Sequence, residues 1–368
     1  MSRILAGIVA AALLAPLAAR AQATATLAAP ATTAAPAPAA PAAPAVKFGG
    51  VVDAYYGVNV DHAQTVTNGI RAFDAAPSFQ LAYAKLTAAM DPSPAGFRID
   101  LGFAPTSLGV TNLFVQQAYA SMKLGPVILD FGRFVTAAGS EVIEAKDNWA
   151  YSRSILFTWA IPFAHLGARA TVPFFLDGLN LQAAVLDGWD TDTTTAAFAS
   201  GSAGSPASPH KTGQVSLQYG KDATTASVNF FSGKQPGATD TRSLVDVVLQ
   251  QGIGDLTINL NGDWAKEGDA KWYGFAGMLR YSFAGDKFRL SARGEWFDDK
   301  NGVRITGPTI NPTALAATYT EGTLTASIPV GANTELRAEF RYDKASKKVF
   351  SGDTDAFSTF EVAALAWF

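Results

Sequence analysis

Glu335-Leu336-Arg337-Ala338-Glu339-Phe340-Arg341-Tyr342 sets four charged residues on one parity and four apolar or aromatic residues on the other. A period of two belongs to an extended strand, whose successive side chains point to opposite faces. The same alternation recurs upstream. Phe97, Ile99, Leu101 and Phe103 alternate with Arg98, Asp100 and Gly102, and Leu256, Ile258, Leu260 and Trp264 with Thr257, Asn259, Asn261 and Asp263. Tyr273, Phe275, Leu279, Tyr281 and Phe283 share a face opposite Arg280 and Ser282, and Leu290, Ala292 and Trp296 oppose Arg289, Ser291, Arg293 and Glu295. A soluble sandwich would turn such apolar faces to a core and the charged faces to water, so alternation alone fits two folds.

The connections separate them. Tight turns such as Asp91-Pro92-Ser93-Pro94, Gly125-Pro126, Gly220-Lys221-Asp222 and Val330-Gly331-Ala332-Asn333 alternate with longer polar loops. That asymmetry is the one outer-membrane barrels show, with short periplasmic turns and long external loops. Strands laid between the connections fall at 46–60, 78–90, 96–106, 112–124, 126–134, 166–175, 179–189, 213–220, 223–232, 241–251, 255–265, 271–283, 287–298, 315–328, 333–343 and 356–368. The count is sixteen, an even number that leaves both ends and every short turn on one side. Past the leader, no window approaches about 20 uncharged apolar residues, which excludes helical spans. The expected fold is all-β: a transmembrane antiparallel up-and-down barrel of about 16 strands.

The flanks agree with export. Met1-Ser2-Arg3, an apolar run from Ile4 to Ala19 and the small-residue site Ala19-Arg20-Ala21 read as a signal peptide, 1–21. Residues 22–45, nearly all Ala, Pro and Thr, read as a disordered linker, and 46–368 as the barrel. Loss of Arg3 and Arg20 takes the net charge from −3 to about −5, which argues against nucleic acid as a partner. Cysteine is absent, so there is no disulfide and no thiolate nucleophile. The only histidines are His62, His165 and His210, and no HExxH, GxSxG or P-loop is present. An enzyme is not expected, nor a cofactor or a metal; Asp187, Asp190 and Asp192 read as a solvated loop rather than a calcium site.

Between the fifth and sixth strands, residues 135–165 (VTAAGSEVIEAKDNWAYSRSILFTWAIPFAH) fit no strand without inverting the parity of what precedes them. They are too apolar to hang in water, so they are expected to fold into the barrel as a constricting loop with a helical turn near Arg153 to Trp159. Here the chain resembles the OmpL-like β-barrel porin family of the outer membrane. The resemblance rests on Asp130-Phe131-Gly132-Arg133-Phe134, Gly139-Ser140-Glu141, Asn148-Trp149-Ala150-Tyr151-Ser152-Arg153-Ser154, Ile161-Pro162-Phe163, His165-Leu166-Gly167 and Asp187-Gly188-Trp189-Asp190. It is dense over 130–190 and general elsewhere, and it implies porin activity without naming a solute.

In such a pore the loop residues Glu141, Glu144 and Asp147 would face a basic wall of Arg98, Arg169, Arg280, Arg289, Arg293, Arg337 and Arg341, setting up a transverse field on polar solutes. Asp100, Glu295, Glu335 and Glu339 share the inward parity, so many of these arginines would also pair locally, and Arg153 would either pin the loop or touch solute. Trp189, Trp264, Trp296, Tyr342 and Trp367 are expected in interfacial girdles. Passive diffusion of small hydrophilic solutes or ions is the expected function, with a non-conducting structural or adhesive barrel as the alternative. The expected partners are the lipid bilayer with its lipopolysaccharide, the barrel-assembly machinery through the C-terminal Phe368, and, by analogy with general porins, two further copies in a homotrimer.

Overall fold

A computed structural model describes residues 45–74, 76–104, 113–189, 210–235, 238–305, 316–350 and 354–368. The leader 1–21, nearly all of the linker 22–45, and Asp190 and Asp192 lie outside the described residues.

The first eight strands are β1 Lys47–Asn59, β2 Ser78–Met90, β3 Ala95–Phe103, β4 Phe114–Leu124, β5 Val127–Val135, β6 Ala164–Pro173, β7 Leu179–Leu186 and β8 Thr212–Lys221. The rest are β9 Thr224–Lys234, β10 Thr241–Ile253, β11 Leu256–Glu267, β12 Ala270–Phe283, β13 Phe288–Asp299, β14 Ala317–Pro329, β15 Thr334–Ala345 and β16 Ala356–Trp367. Each pairs antiparallel with its sequence neighbours, and β16 returns to β1 with Tyr55 opposite Ala363, closing the barrel. Closure leaves no unpaired edge, which a membrane-spanning sheet cannot tolerate.

The alternation sorts the faces as expected. Trp264, Leu279 and Leu324 are about half exposed on the outside, whereas Asp246, Asp263 and Thr325 are fully buried within. Tight turns at one end carry the left-handed conformations they demand, at Gly125 (φ +60°), Gly254 (φ +60°) and Asp222 (φ 54°). The other end bears the long loops, with one departure: Gly268–Asp269 joins β11 to β12 as tightly as any turn at the opposite end.

Two further departures concern the interior. The inward parity is charged only in part, because towards the loop end it turns aromatic: Tyr83, Phe231, Trp272, Phe297, Tyr319 and Phe357 are all buried there. The loops supply the apolar groups these rings pack on. Residues 136–163 (loop L3) bring Ile143, Tyr151, Ile155, Leu156 and Phe157 into one cluster with them. The first loop, 60–77 (L1), for which no inward turn was expected, also buries Ile70 and Phe73 in this cluster. The barrel therefore has an apolar core inside its lumen, built by two inserted loops.

Candidate pore constriction

L3 has little regular structure of its own: a 3-10 turn at Ala145–Asp147 and one π-helical turn at Leu156–Ala160, the latter overlapping the span Arg153 to Trp159 where a helical turn was expected. Several of its backbone donors are therefore met from outside the loop, by acceptors on the barrel wall. Glu339 on β15 accepts from the Tyr151 and Ser152 amides at 2.5 and 3.0 Å. Glu295 on β13 accepts from the Ile155 and Leu156 amides at 2.6 and 3.1 Å. Carbonyls are met by arginines of the same strands: Arg337 donates to Ala150 (2.9 Å), Arg293 to Ser152 (2.7 Å) and Arg341 to Arg153 (2.6 Å). Wall residues chosen by parity as pore-lining thus hold the loop.

The opposite flank of L3 is fastened to β1–β4. Tyr151 donates to Asp53 at 2.8 Å, and Glu144 is gripped by Lys85 and accepts from Gln116 at 3.0 Å. Asp53 and Asp100 each stand at a shift in strand register, where a bulge can re-aim an inward side chain. Arg153 is fully buried; it donates to the carbonyls of Ile143 and Tyr151, lies 3.7 Å from Asp53 and sits over the Phe73 ring. The indole of Trp159 donates to the Ile70 carbonyl at 2.8 Å, joining L3 to L1.

This arrangement corrects the expected transverse field. Glu141 does not face Arg293 across water but contacts it at 2.7 Å, while also accepting from the Ser154 amide at 2.7 Å. Glu144 has its own cation, Lys85, which the sequence reading passed over. Asp147 pairs with its neighbour Lys146 at 2.7 Å. Elsewhere the wall charges are matched within the wall: Arg98 with Asp100 (2.9 Å), Arg169 with Asp130 (2.8 Å), Arg337 with Glu335 (2.6 Å), Arg341 with Asp343 (2.8 Å), and Arg280 and Arg289 both with Asp286. Among these paired groups the side chains that keep most contact with solvent are those of Asp147 (51 %), Asp286 (46 %) and Arg98 (36 %). A cavity of about 640 Å³ lies between L3 and β1–β5, bounded by Lys85, Arg98, Gln117, Glu144, Asp147 and Phe368.

The family-like residues have visible physical roles. Gly132 faces Gly167 across β5–β6, and a Cβ on Gly132 would stand 2.3 Å from the Ala118 carbonyl. His165 is fully buried on β6, its Nε2 3.2 Å from Thr136 Oγ1 at the start of L3, so it shapes the loop base. Asp187 pairs with Lys211 at 2.5 Å. The girdle expectation requires outward-pointing rings, and Trp264, Trp296 and Tyr342 are exposed outwards. It fails for Trp189, buried edge-on to Trp272 between Arg242 and Arg304, and for Trp367, which lines the cavity beneath Lys146. Trp367 falls on the inward parity of β16, whereas Trp189 lies three residues past the end of β7, where strand parity no longer sets direction.

Known structures share this architecture. The anion-selective porin from Comamonas acidovorans superposes with a TM-score of 0.62 at 13% identity, covering 88% of this chain and 99% of that one. The outer-membrane channel DcaP of Acinetobacter baumannii gives 0.59 at 14%, covering 89% and 99%. The trimer form of in-vitro folded OmpT from Vibrio cholerae gives 0.55 at 14%, covering 89% and 100%. At such identities the likeness is one of fold. No curated protein sequence matches significantly. The model of the family described as "Putative beta-barrel porin-2, OmpL-like" matches residues 45–368, essentially the whole barrel, and the chain belongs to that family of outer-membrane porins.

Proposed function

We propose that the protein lets small hydrophilic solutes or ions diffuse passively across the outer membrane, along the side of L3 that faces β1–β5. The observation that carries this reading is the cavity of about 640 Å³ between the docked loop and that wall, whose lining includes Lys85, Arg98, Gln117 and Asp147. Glycines at the start of β1 and the C-terminal Phe368 also border it, so it reaches the periplasmic end of the barrel. In this reading Arg98, Asp147 and, further round, Arg169, Arg280 and Arg289 meet solute, while Glu141, Arg153, Arg293, Glu295, Arg337, Glu339 and Arg341 position the loop. Phe368, 73% exposed at the end of the last amphipathic strand, is the proposed signal to the barrel-assembly machinery. A homotrimer is the proposed assembly, as in the trimer form of OmpT.

The packed interior favours a second reading, a closed structural barrel. Single-channel conductance of the refolded mature protein in a planar bilayer under a salt gradient separates the two. Discrete steps that enlarge on deletion within 140–160 establish a pore constricted by L3. Silence from heat-modifiable barrels, with and without the loop, leaves the structural barrel.

A further inference from the structure

At the tight β11–β12 connection the outer wall of the barrel carries two stacked rows of side chains in register. The lower row runs Phe230, Val245, Trp264, Tyr273 across β9–β12, and the upper row runs Ser232, Ser243, Lys266, Lys271 across the same strands. Two residues along a strand separate the rows, roughly 6.8 Å. Between and beside them lies an outward groove of about 440 Å³ lined by Phe230, Val245, Trp264, Lys266, Lys271 and Tyr273. This is the external end, and the loop above the groove is only Gly268–Asp269, so no chain from that connection shields it from the outer leaflet.

The charges on the upper row are unbalanced. Lys266 and Lys271 stand directly opposite each other, both exposed, and like charges so placed repel. Of the nearby acids, Glu267 turns inward onto Arg242 at 2.6 Å, Asp240 lies against Gly268 and Asp269 sits in the turn itself, and among the described residues no carboxylate pairs with either lysine. The Ser232 and Ser243 hydroxyls lie 3.0 Å apart in the same row and add neutral donors. Two ammonium groups and two hydroxyls above an aromatic belt match a phosphate above acyl chains: lysine meets phosphate as a point charge, and Trp and Tyr seat at headgroup depth.

We propose that this face is a binding site for the phosphorylated glycolipid of the outer leaflet, with a lipid A phosphate on Lys266 and Lys271 and an acyl chain in the groove over Trp264. The site rests on the outer-membrane placement of the barrel and not on conduction. The test is native mass spectrometry of the refolded full-length barrel incubated with bisphosphorylated lipid A or with the same lipid A stripped of phosphate. Wild type should retain the phosphorylated form, and K266E/K271E should retain about tenfold less, since each surface cation contributes appreciably to holding an anionic headgroup. Lys221→Glu, on the outer wall at the periplasmic end, should retain as much as wild type. Where K266E/K271E fails to become heat-modifiable, K266Q/K271Q is read in its place. Equal retention by the folded double variant overturns the site, as does equal retention of dephosphorylated lipid A by wild type. Conductance of the same samples is independent: a silent barrel that still discriminates the two lipids loses the pore and keeps the site.

Discussion

Arg71 of L1 and Asp343 of β15 are joined across the barrel interior by a 2.9 Å ion pair in which neither side chain meets solvent. The guanidinium also donates to Thr359 at 2.7 Å, reaches Asp74 at 3.2 Å and lies 3.5 Å from Glu361. Burial alone would lower the pKa of Arg71, but Asp343, Asp74 and Glu361 outweigh it and keep the group charged. Arg71→Met would leave these acids without their shared cation. Removal of one partner from a buried pair costs about 3–5 kcal/mol. Urea unfolding of the refolded barrel, followed by tryptophan fluorescence, should show that loss. Asp286→Asn, in a half-exposed turn pair with Arg289, should cost less than about 1 kcal/mol. Similar losses for the two would mean that L1 is not clamped through Arg71.

Loosening of L3 by acid is the second prediction. Burial pushes the Glu144 carboxyl up, yet Lys85 and Gln116 outweigh burial and hold it below the ordinary glutamate range. A carboxyl depressed in the docked state stabilises docking at pH values above its undocked pKa, and that contribution fades as pH falls through the docked one. Open-channel noise should therefore rise as pH is lowered beneath the ordinary glutamate range, and Glu144→Gln should show the noise already at neutral pH. A noise profile identical in both proteins would remove Glu144 from the docking of L3.

The strands were legible because alternation, turn residues and parity each constrain them independently. β12 and β16 end within a residue of the expected limits, at Ala270–Phe283 and Ala356–Trp367. The candidate site was legible only by halves. Parity correctly turned Arg293, Glu295, Arg337, Glu339 and Arg341 inward, and the apolar character of 135–165 correctly sent that loop after them. Parity, however, names a face and not a partner. That Glu295 and Glu339 serve backbone amides of L3 depends on where the loop lands, information spread over β13, β15 and residues 151–156. L1 was missed because its buried set, Ile70, Arg71, Ala72, Phe73 and Asp74, is too short and mixed to announce itself. The one usable signal was a charged residue between Ile70 and Phe73 in an external loop, which gains from an acidic lumen what it would lose in an apolar core.

The wall glutamates provide the third prediction. Glu295 and Glu339 each accept from two successive L3 amides, and a buried donor left without its acceptor costs about 1–3 kcal/mol. The double variant Glu295→Ala, Glu339→Ala would strand four buried N–H groups, so the second half of L3 should leave its seat while the strands stay paired. Trypsin should then cut after Arg153, which wild type buries completely, and single-channel conductance should rise. Resistance to trypsin equal to wild type, in a folded barrel, would show that the apolar contacts of Ile155, Leu156 and Phe157 hold the loop unaided.

Gly132 tests whether the family-like segment on β5 is fixed by backbone geometry. Its φ of +133° lies where side chains are strained, and an added Cβ would meet the Ala118 carbonyl carbon–oxygen dipole at 2.3 Å from the oxygen. Both faults fall in the strand that leads into L3, so relief would require β4 and β5 to part next to Arg133 and Phe134. Gly132→Val should therefore fail to regain heat-modifiable migration, or lose stability by at least about 1–3 kcal/mol. Gly125→Ala serves as the comparison: it also has a left-handed φ, +60°, but nothing lies within 4 Å of its added Cβ. Its cost should be only the conformational one, about 1–2 kcal/mol, with folding and conductance retained. Equal behaviour of the two variants would assign the glycine of β5 to φ alone and dismiss the close approach of β4.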